Sequence, residues 1–279
     1  MPGEDMDAAI AAARDLGSSG IRSILTHLGE NLTSIDDAAR VYDHYVALLE
    51  RLQSSSPRLD AQISVKPTQL GYDQSRERCL EYLSRLLTRA DAAGTSLWLD
   101  MESSEYVDGT LSLYRALRKQ SQAVGVALQA YLFRTEKDLE QLLPLGPSIR
   151  LVKGAYLEPP SVAFQRKADV DRNYARLADL IARPDVLQRQ GALMHVATHD
   201  TRLQDRVRQQ IVDRGIPADR YEFAMLFAIL PQRQRELAQS GVPTRVLISY
   251  GEDWFPWYMR RLAERPANVW FVVKNVGGG

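Results

Sequence analysis

The chain has 279 residues, and its 35 Lys and Arg balance 35 Asp and Glu to a formal net charge of zero. That length is close to the ~250 residues of one (β/α)8 barrel, so a single domain over residues 1–279 is expected, and the balanced charge gives no electrostatic case for a nucleic-acid partner. No apolar run approaches the ~18 residues of a membrane span, the N-terminal MPGEDMDAAIAAARDLG lacks a signal-peptide core, and the lone Cys79 excludes an internal disulfide, so a soluble, cytoplasmic protein is predicted.

Residues 5–16 read as a short amphipathic helix ahead of a first strand, GIRSILTHLG. SIDDAARVYDHYVALLERL follows as a helix capped at Ser34, and QSSSPRLD forms the loop into AQISVKP. Cys79 falls in the helix-like SRERCLEYLSRLL, which DAAG closes before SLWLDM. GVALQA, IRLVKG, LMHVATH, YEFAML and TRVLISYG complete eight apolar, β-branched runs, with Gly/Pro punctuation at LGPS and RGIP. DWFPWYMRRLAERP reads as a helix after the eighth strand, and the terminal VGGG carries no assigned role. Eight strands alternating with amphipathic helices predict a (β/α)8 TIM barrel.

Polar residues gather at the C-terminal ends of these runs: His27, Lys66, Asp100, Gln129, Lys153, His199 and Tyr250. Barrel enzymes place their chemistry on that face. Lys66 and Asp100 end adjacent strands, where an ion pair is the economical way to bury charge; a structural salt bridge explains them equally well. Arg150 and Lys153 lie three apart, so one points inward if the other points outward, and one of them is then structural. Gly154 and Ala155 leave room for a ligand to approach the backbone, as tight turns also do. A lone strand-end histidine such as His199 serves as base, donor or structural residue. His195 and His199 do not have convincing metal-ligand spacing, so no metal is expected. Arg260 and Arg261, among aromatics, suit bidentate carboxylate recognition, although a solvated helix face is the commoner origin of such a pair. There is neither a GxGxxG fingerprint nor a Walker loop.

The strings ISVKPTQLG, LWLDMES, LQAYLFRTEKDL, IRLVKGAYLEP, VATHDTRL, YEFAML and YGEDWFPWYMRRLAERP follow one another in the order and spacing of the proline dehydrogenases. The chain resembles that family over nearly its whole length. The resemblance implies a distorted barrel whose last helix lies over the C-terminal mouth, with FAD across it. It further implies oxidation of L-proline to 1-pyrroline-5-carboxylate by hydride transfer from the ring carbon beside nitrogen to flavin N5. Lys66, Arg260 and Arg261 would hold the substrate carboxylate, and Asp100 would pair with them. Arg150 would approach flavin N5; Gln129, Lys153, Gly154, Ala155, Thr198, His199 and Glu264 would contact the cofactor; Tyr156 and Leu226 would wall the substrate ring. Electrons would pass to a quinone, through peripheral contact with the inner face of the membrane, or to another acceptor.

Several positions depart from the family pattern. Leu247 stands where proline-specific members usually carry tyrosine, which widens and dries the pocket wall. Ser249 replaces a common proline, Ala224 a frequent glutamine, Pro67 a leucine, and Ala228–Leu230 a Gly-Val-Arg-like run. The charged positions survive while the lining changes. A 4-hydroxyproline or another substituted cyclic imino acid is therefore the alternative substrate, and a non-catalytic barrel serving as a binding subunit is the alternative of a different class.

Overall fold

The computed structural model describes residues 1–29, 32 and 34–252. Its eight strands are β1 (Arg22–His27), β2 (Ala61–Val65), β3 (Leu97–Leu99), β4 (Val124–Gln129), β5 (Ser148–Val152), β6 (Leu193–Ala197), β7 (Tyr221–Leu226) and β8 (Thr244–Tyr250). All pair in parallel with their neighbours, and β8 pairs with β1, closing the barrel. Each of the eight apolar runs forms one strand. The helices among the described residues are α1 (Met6–Ser18), α2 (Ile35–Gln53), α3 (Arg76–Ala92), α4 (Val107–Arg118), α5 (Thr135–Leu142), α6 (Lys167–Ile181), α7 (Pro184–Leu187), α8 (Thr201–Asp213) and α9 (Pro231–Gln239). The segment after β8, expected to form a helix, lies outside the described residues.

Local chemistry explains the helix starts. Ser34 accepts from the Asp37 amide while the Asp37 carboxylate accepts from the Ser34 amide, a reciprocal box that satisfies otherwise orphaned donors at the start of α2. Asp200 caps α8 with a single bond, accepting from the Leu203 amide. Pro67, the residue that departs from leucine, opens the 3-10 turn Pro67–Leu70, where a fixed φ and a missing N–H suit the first position.

Two cores result. Outward-facing strand residues such as Leu25, Ile63, Leu99, Ile149, Val196 and Ile248 pack against the apolar stripes of the surrounding helices. The barrel interior is far more polar: Gln62, Ser64, Arg150, His195, Glu222 and Arg245 are all buried. Trp98 fills the middle of it, donating from its indole N–H to Gln62 Oε1 at 2.8 Å and stacking on the His195 ring at 4.1 Å between centroids. Its register partner on β4 is Gly125, where a Cβ would overlap the Trp98 ring. A small residue there is what lets the interior accept an indole.

Candidate functional site

Side chains alternate along a strand, so the contacts of Arg150 fix which way each strand points its residues. From β5, Arg150 reaches across the interior: its Nη2 donates to Ser64 Oγ at 2.9 Å and pairs with the Asp100 carboxylate, and its guanidinium lies 5.4 Å from the Trp98 ring centroid. Ser64 Oγ also donates to Asp100, at 2.8 Å. Asp100 therefore takes Arg150 as its cation in place of the Lys66 partner expected from adjacent strands. The reason is reach: Arg150 projects inward across the barrel, beneath the position where β3 ends. Burial pushes the Arg150 guanidinium below its usual pKa, and the Asp100 charge pulls it back. Its Nη1 is buried and has no hydrogen-bond partner among the described residues.

Lys66 follows β2 directly and is 8% exposed. Gln129 closes β4 and donates from Nε2 to the Glu102 carbonyl at 2.8 Å. Lys153 follows β5 on the face opposite Arg150, as the spacing required, and its ammonium lies 2.5 Å from Asp171 and 3.0 Å from Asp200. Lys167 reaches the same two carboxylates. Burial alone would raise the Asp200 carboxyl, but hydrogen bonds from Lys153 and Lys167 outweigh it and hold the group well below the usual range.

His199 follows β6, and the Leu226 amide donates to its Nε2 at 2.9 Å. An acceptor at Nε2 puts the ring proton on Nδ1, which makes that nitrogen a donor. Thr198 is buried beside it, its hydroxyl accepting from the Asp200 amide at 3.2 Å. Lys167, Asp171, His199, Asp200, Thr201 and Arg202 line an open pocket at the N-terminus of α8. Helix N-termini favour anions, and here Asp171 and Asp200 already occupy Lys153 and Lys167 as their counter-charges.

Leu226 and Leu247 are register partners on β7 and β8 and are half-buried, whereas Met225 and Val246 beside them are buried. Leu247 shares the inward face of Arg245 two residues earlier. Tyr156 and Ala155 lie half-buried on the loop after β5. At Gly154 φ is +121°, and a Cβ there would overlap the Tyr131 ring, so a tight turn by itself accounts for this glycine. The residue is glycine for backbone conformation and for Tyr131. Ser249 Oγ, on the departure from proline, is buried without a partner among the described residues. Ala228 and Leu230 take positive φ of 61° and 54° where the family run begins with glycine. Arg260, Arg261 and Glu264 lie outside the described residues.

Two features escaped the sequence reading. Glu102, 6% exposed, accepts from both the amide and the hydroxyl of Thr68, and burial raises its carboxyl to about 7 against the opposing effect of those bonds and of Lys66. Deeper in the barrel, Glu222 accepts from Arg22 and Arg245 and lies 3.0 Å from His195 Nε2. The available signal was a charge at an inward position of an otherwise apolar run, as in YEFAML and TRVLISY.

A family model described as proline dehydrogenase matches residues 9–274. The chain belongs to the proline dehydrogenase family, and is an oxidoreductase. Proline dehydrogenase 1 of Bacillus subtilis subsp. natto is 36% identical over 274 residues, spanning 98% of this chain and 88% of that protein. Proline dehydrogenase of Deinococcus radiodurans is 37% identical over 279 residues, spanning 98% and 87%. Among solved structures, proline utilization A (PutA) from Bdellovibrio bacteriovorus, inactivated by N-propargylglycine, superposes with a TM-score of 0.85 at 21% identity over 94% of this chain. PutA from Corynebacterium freiburgense gives 0.81 at 24% identity over 96%. The chain spans about a third of those longer proteins, 32% and 31%, and at such identities the likeness speaks for the barrel alone. Among the described residues no helix is long and apolar enough to cross a membrane.

Proposed function

We propose that this chain oxidises L-proline to 1-pyrroline-5-carboxylate with FAD, as one barrel domain over residues 1–279 carrying the whole site. The observation that carries the reading is Arg150: a guanidinium 3% exposed, satisfied by Asp100 and Ser64 on one nitrogen and buried without a partner among the described residues on the other. A buried donor left unpaired is costly, so a ligand acceptor there is the economical explanation.

The surrounding residues fit a flavin dinucleotide. Arg150 would bring a positive charge to the edge of the ring system, Gln129 and the Nδ1 proton of His199 would supply donors, and Gly154, Ala155, Thr198 and Glu264 would complete the contacts. Lys153, Lys167 and the N-terminus of α8 suit a pyrophosphate, which would compete with Asp171 and Asp200 for the two ammoniums. Bound FAD supplies the acceptor for a hydride from the ring carbon beside nitrogen, the nitrogen losing a proton as the C=N bond forms.

The protein's own part is placement and charge. Lys66, with Arg260 and Arg261, would hold the substrate carboxylate, and Asp100 would offset part of that positive charge while fixing Arg150. Tyr156, Leu226 and Leu247 would wall the ring. Electrons would leave to a quinone, reached by peripheral contact of a cytoplasmic protein with the inner face of the membrane, or to another acceptor.

Anaerobic absorbance spectroscopy during titration with L-proline tests this reading: bleaching of a flavin band supports it. Protein that binds no flavin after incubation with FAD would sink it, and a flavin unmoved by any cyclic imino acid would favour a binding subunit. The half-open Leu247 favours a second substrate class, the hydroxylated or otherwise substituted prolines. On that reading Leu247→Tyr lowers kcat/KM for trans-4-hydroxyproline relative to proline by roughly tenfold, near the lower end of the ~1–3 kcal/mol that one pocket-wall group commands. An unchanged ratio would remove Leu247 from the specificity argument.

A further inference from the structure

Lys66 directly follows β2, and the four rotatable bonds of its side chain give no fixed geometry unless the backbone beneath it is held. The chain turns immediately afterwards into the 3-10 turn Pro67–Leu70, with Lys66 as its N-cap and Gly71 leaving it at φ +82°. The turn is tied to three other elements. Gln69 donates from Nε2 to the His27 carbonyl at 3.1 Å and to that of Gly29, and the Cys79 thiol of α3 meets the Pro67 carbonyl at 3.5 Å. The third tie is charged: Thr68 gives its amide, at 3.2 Å, and its hydroxyl to the two carboxylate oxygens of Glu102. The same Glu102 accepts the Gln129 side chain on its carbonyl oxygen at 2.8 Å.

We propose that Glu102 is a positioning residue for Lys66, clamping the turn that starts there so that the ammonium is presented at a fixed place on the barrel mouth. This rests on the reading of Lys66 as a carboxylate ligand. A carboxylate taking two donors from one residue two positions beyond the lysine leaves that backbone little freedom, and charge-assisted bonds make the clamp stronger than a neutral pair would. Through its carbonyl, Glu102 also sets the Gln129 amide, so one residue fixes the spacing between the proposed substrate and cofactor contacts. Placement errors on the scale of 1 Å are expensive in such sites.

The ionisable groups facing the Glu102 carboxyl are Lys66 from β2, Asp100 from β3, Cys79 from α3 and Tyr106 from the turn before α4, with Asp73 beside the last two. Burial pushes the Cys79 thiol and the Tyr106 hydroxyl up to about 12, so neither changes charge between pH 6 and 8. Glu102, raised to about 7, does. Above that pH both Thr68 donors meet a full carboxylate; below it a proton takes one acceptor position and the clamp slackens.

The test is steady-state kinetics of the flavin-loaded enzyme with L-proline for Glu102→Gln, Thr68→Val, Lys66→Met and the Glu102→Gln/Lys66→Met double variant, with thermal melting as the folding control. Glu102→Gln is expected to raise KM about tenfold with kcat within about threefold, and Thr68→Val to raise it about threefold. The Glu102→Gln effect should vanish in the Lys66→Met background, because the clamp then has nothing to present. Wild-type KM should rise as pH falls from 8 to 6, and the Glu102→Gln profile should be flat. If Lys66→Met leaves KM unchanged, the carboxylate-ligand reading of Lys66 has failed. If Lys66→Met raises KM but the two effects simply multiply, or the pH profile survives in Glu102→Gln, the positioning role is overturned and the ligand reading stands. Should Glu102→Gln not fold, Thr68→Val alone decides, since KM unchanged in it leaves the clamp without a function.

Discussion

Replacing Glu222 by glutamine removes the buried negative charge from a cluster of cations, leaving only the more exposed Asp60 beside Arg22 and Arg245, and should be felt as lost stability. Glu222 is 3% exposed and Arg245 2% exposed. The carboxylate accepts from Arg245 on both oxygens and from Arg22 Nη1 at 2.6 Å, with His195 Nε2 3.0 Å away. Burial alone would raise the Glu222 carboxyl, yet the Arg245 charge and hydrogen bonds hold it well below 4.5. Breaking a buried pair by removing one partner costs about 3–5 kcal/mol, because the other charge stays behind, here with only the solvent-exposed Asp60 as its remaining counter-charge. For a chain of this size each kcal/mol lowers Tm by roughly 2 °C, so Glu222→Gln should melt roughly 6–10 °C earlier. Differential scanning calorimetry at neutral pH reads this directly. The pH dependence has a definite sign: a depressed carboxyl contributes stability that is complete above 4.5 and fades as pH falls through the folded value, so the gap between wild type and variant should narrow in acid. An apolar double variant, Glu222→Leu with Arg245→Met, should lose less than Glu222→Gln does, since it strands no Arg245 charge. A loss under about 2 °C for Glu222→Gln, or a double variant worse than the single, would refute the uncompensated-charge argument.

Ala228→Gly should raise stability by about 1 kcal/mol, because a Cβ at φ 61° is strained and glycine relieves it; urea unfolding with no gain would mean the loop tolerates the strain. Glu102 contributes the opposite pH dependence from Glu222: its folded value of about 7 lies above 4.5, so its contribution is fully present below 4.5 and is lost as pH rises through about 7. Between pH 5 and 8 wild type should lose up to about 3 kcal/mol that Glu102→Gln does not, measured as diverging urea midpoints; parallel curves would place the Glu102 titration elsewhere.

The barrel was legible because its strands are buried on both faces, which makes each an apolar run visible without knowing its partner. The strand-end residues were legible for the same reason, as the polar positions where such a run stops. What the sequence withheld is which polar residue meets which across the interior. Lys66 and Asp100 sit on neighbouring strands, so pairing them was the local inference, and the closed barrel instead brings Arg150 from two strands beyond β3 into contact with Asp100. Gly154 read equally as room for a ligand and as a tight turn, because a sequence cannot show that Tyr131 sits where its Cβ would be. Lengthwise spacing along a strand is set by the backbone, whereas distance across a barrel is set by closure.

That distinction also separates two kinds of charge within one molecule. Glu222, Arg245 and His195 occupy inward positions near the start or middle of their strands, where Glu222 pairs with Arg245 and lies 3.0 Å from His195. Burial lowers His195 to about 4 despite its Glu222 neighbour, so it stands neutral in the interior at physiological pH. Glu102, Lys153 and Asp200 lie higher, beyond the strand ends, and Arg150, level with His195 on the neighbouring strand, reaches up to Asp100; here a guanidinium nitrogen has no partner among the described residues, a carboxyl is raised to about 7, and two lysines share two aspartates. The lower charges pair with one another, although both ring nitrogens of His195 lack a hydrogen-bond partner among the described residues, whereas the upper groups include a cationic donor without one, and that donor is what the proposed site at the C-terminal mouth calls for.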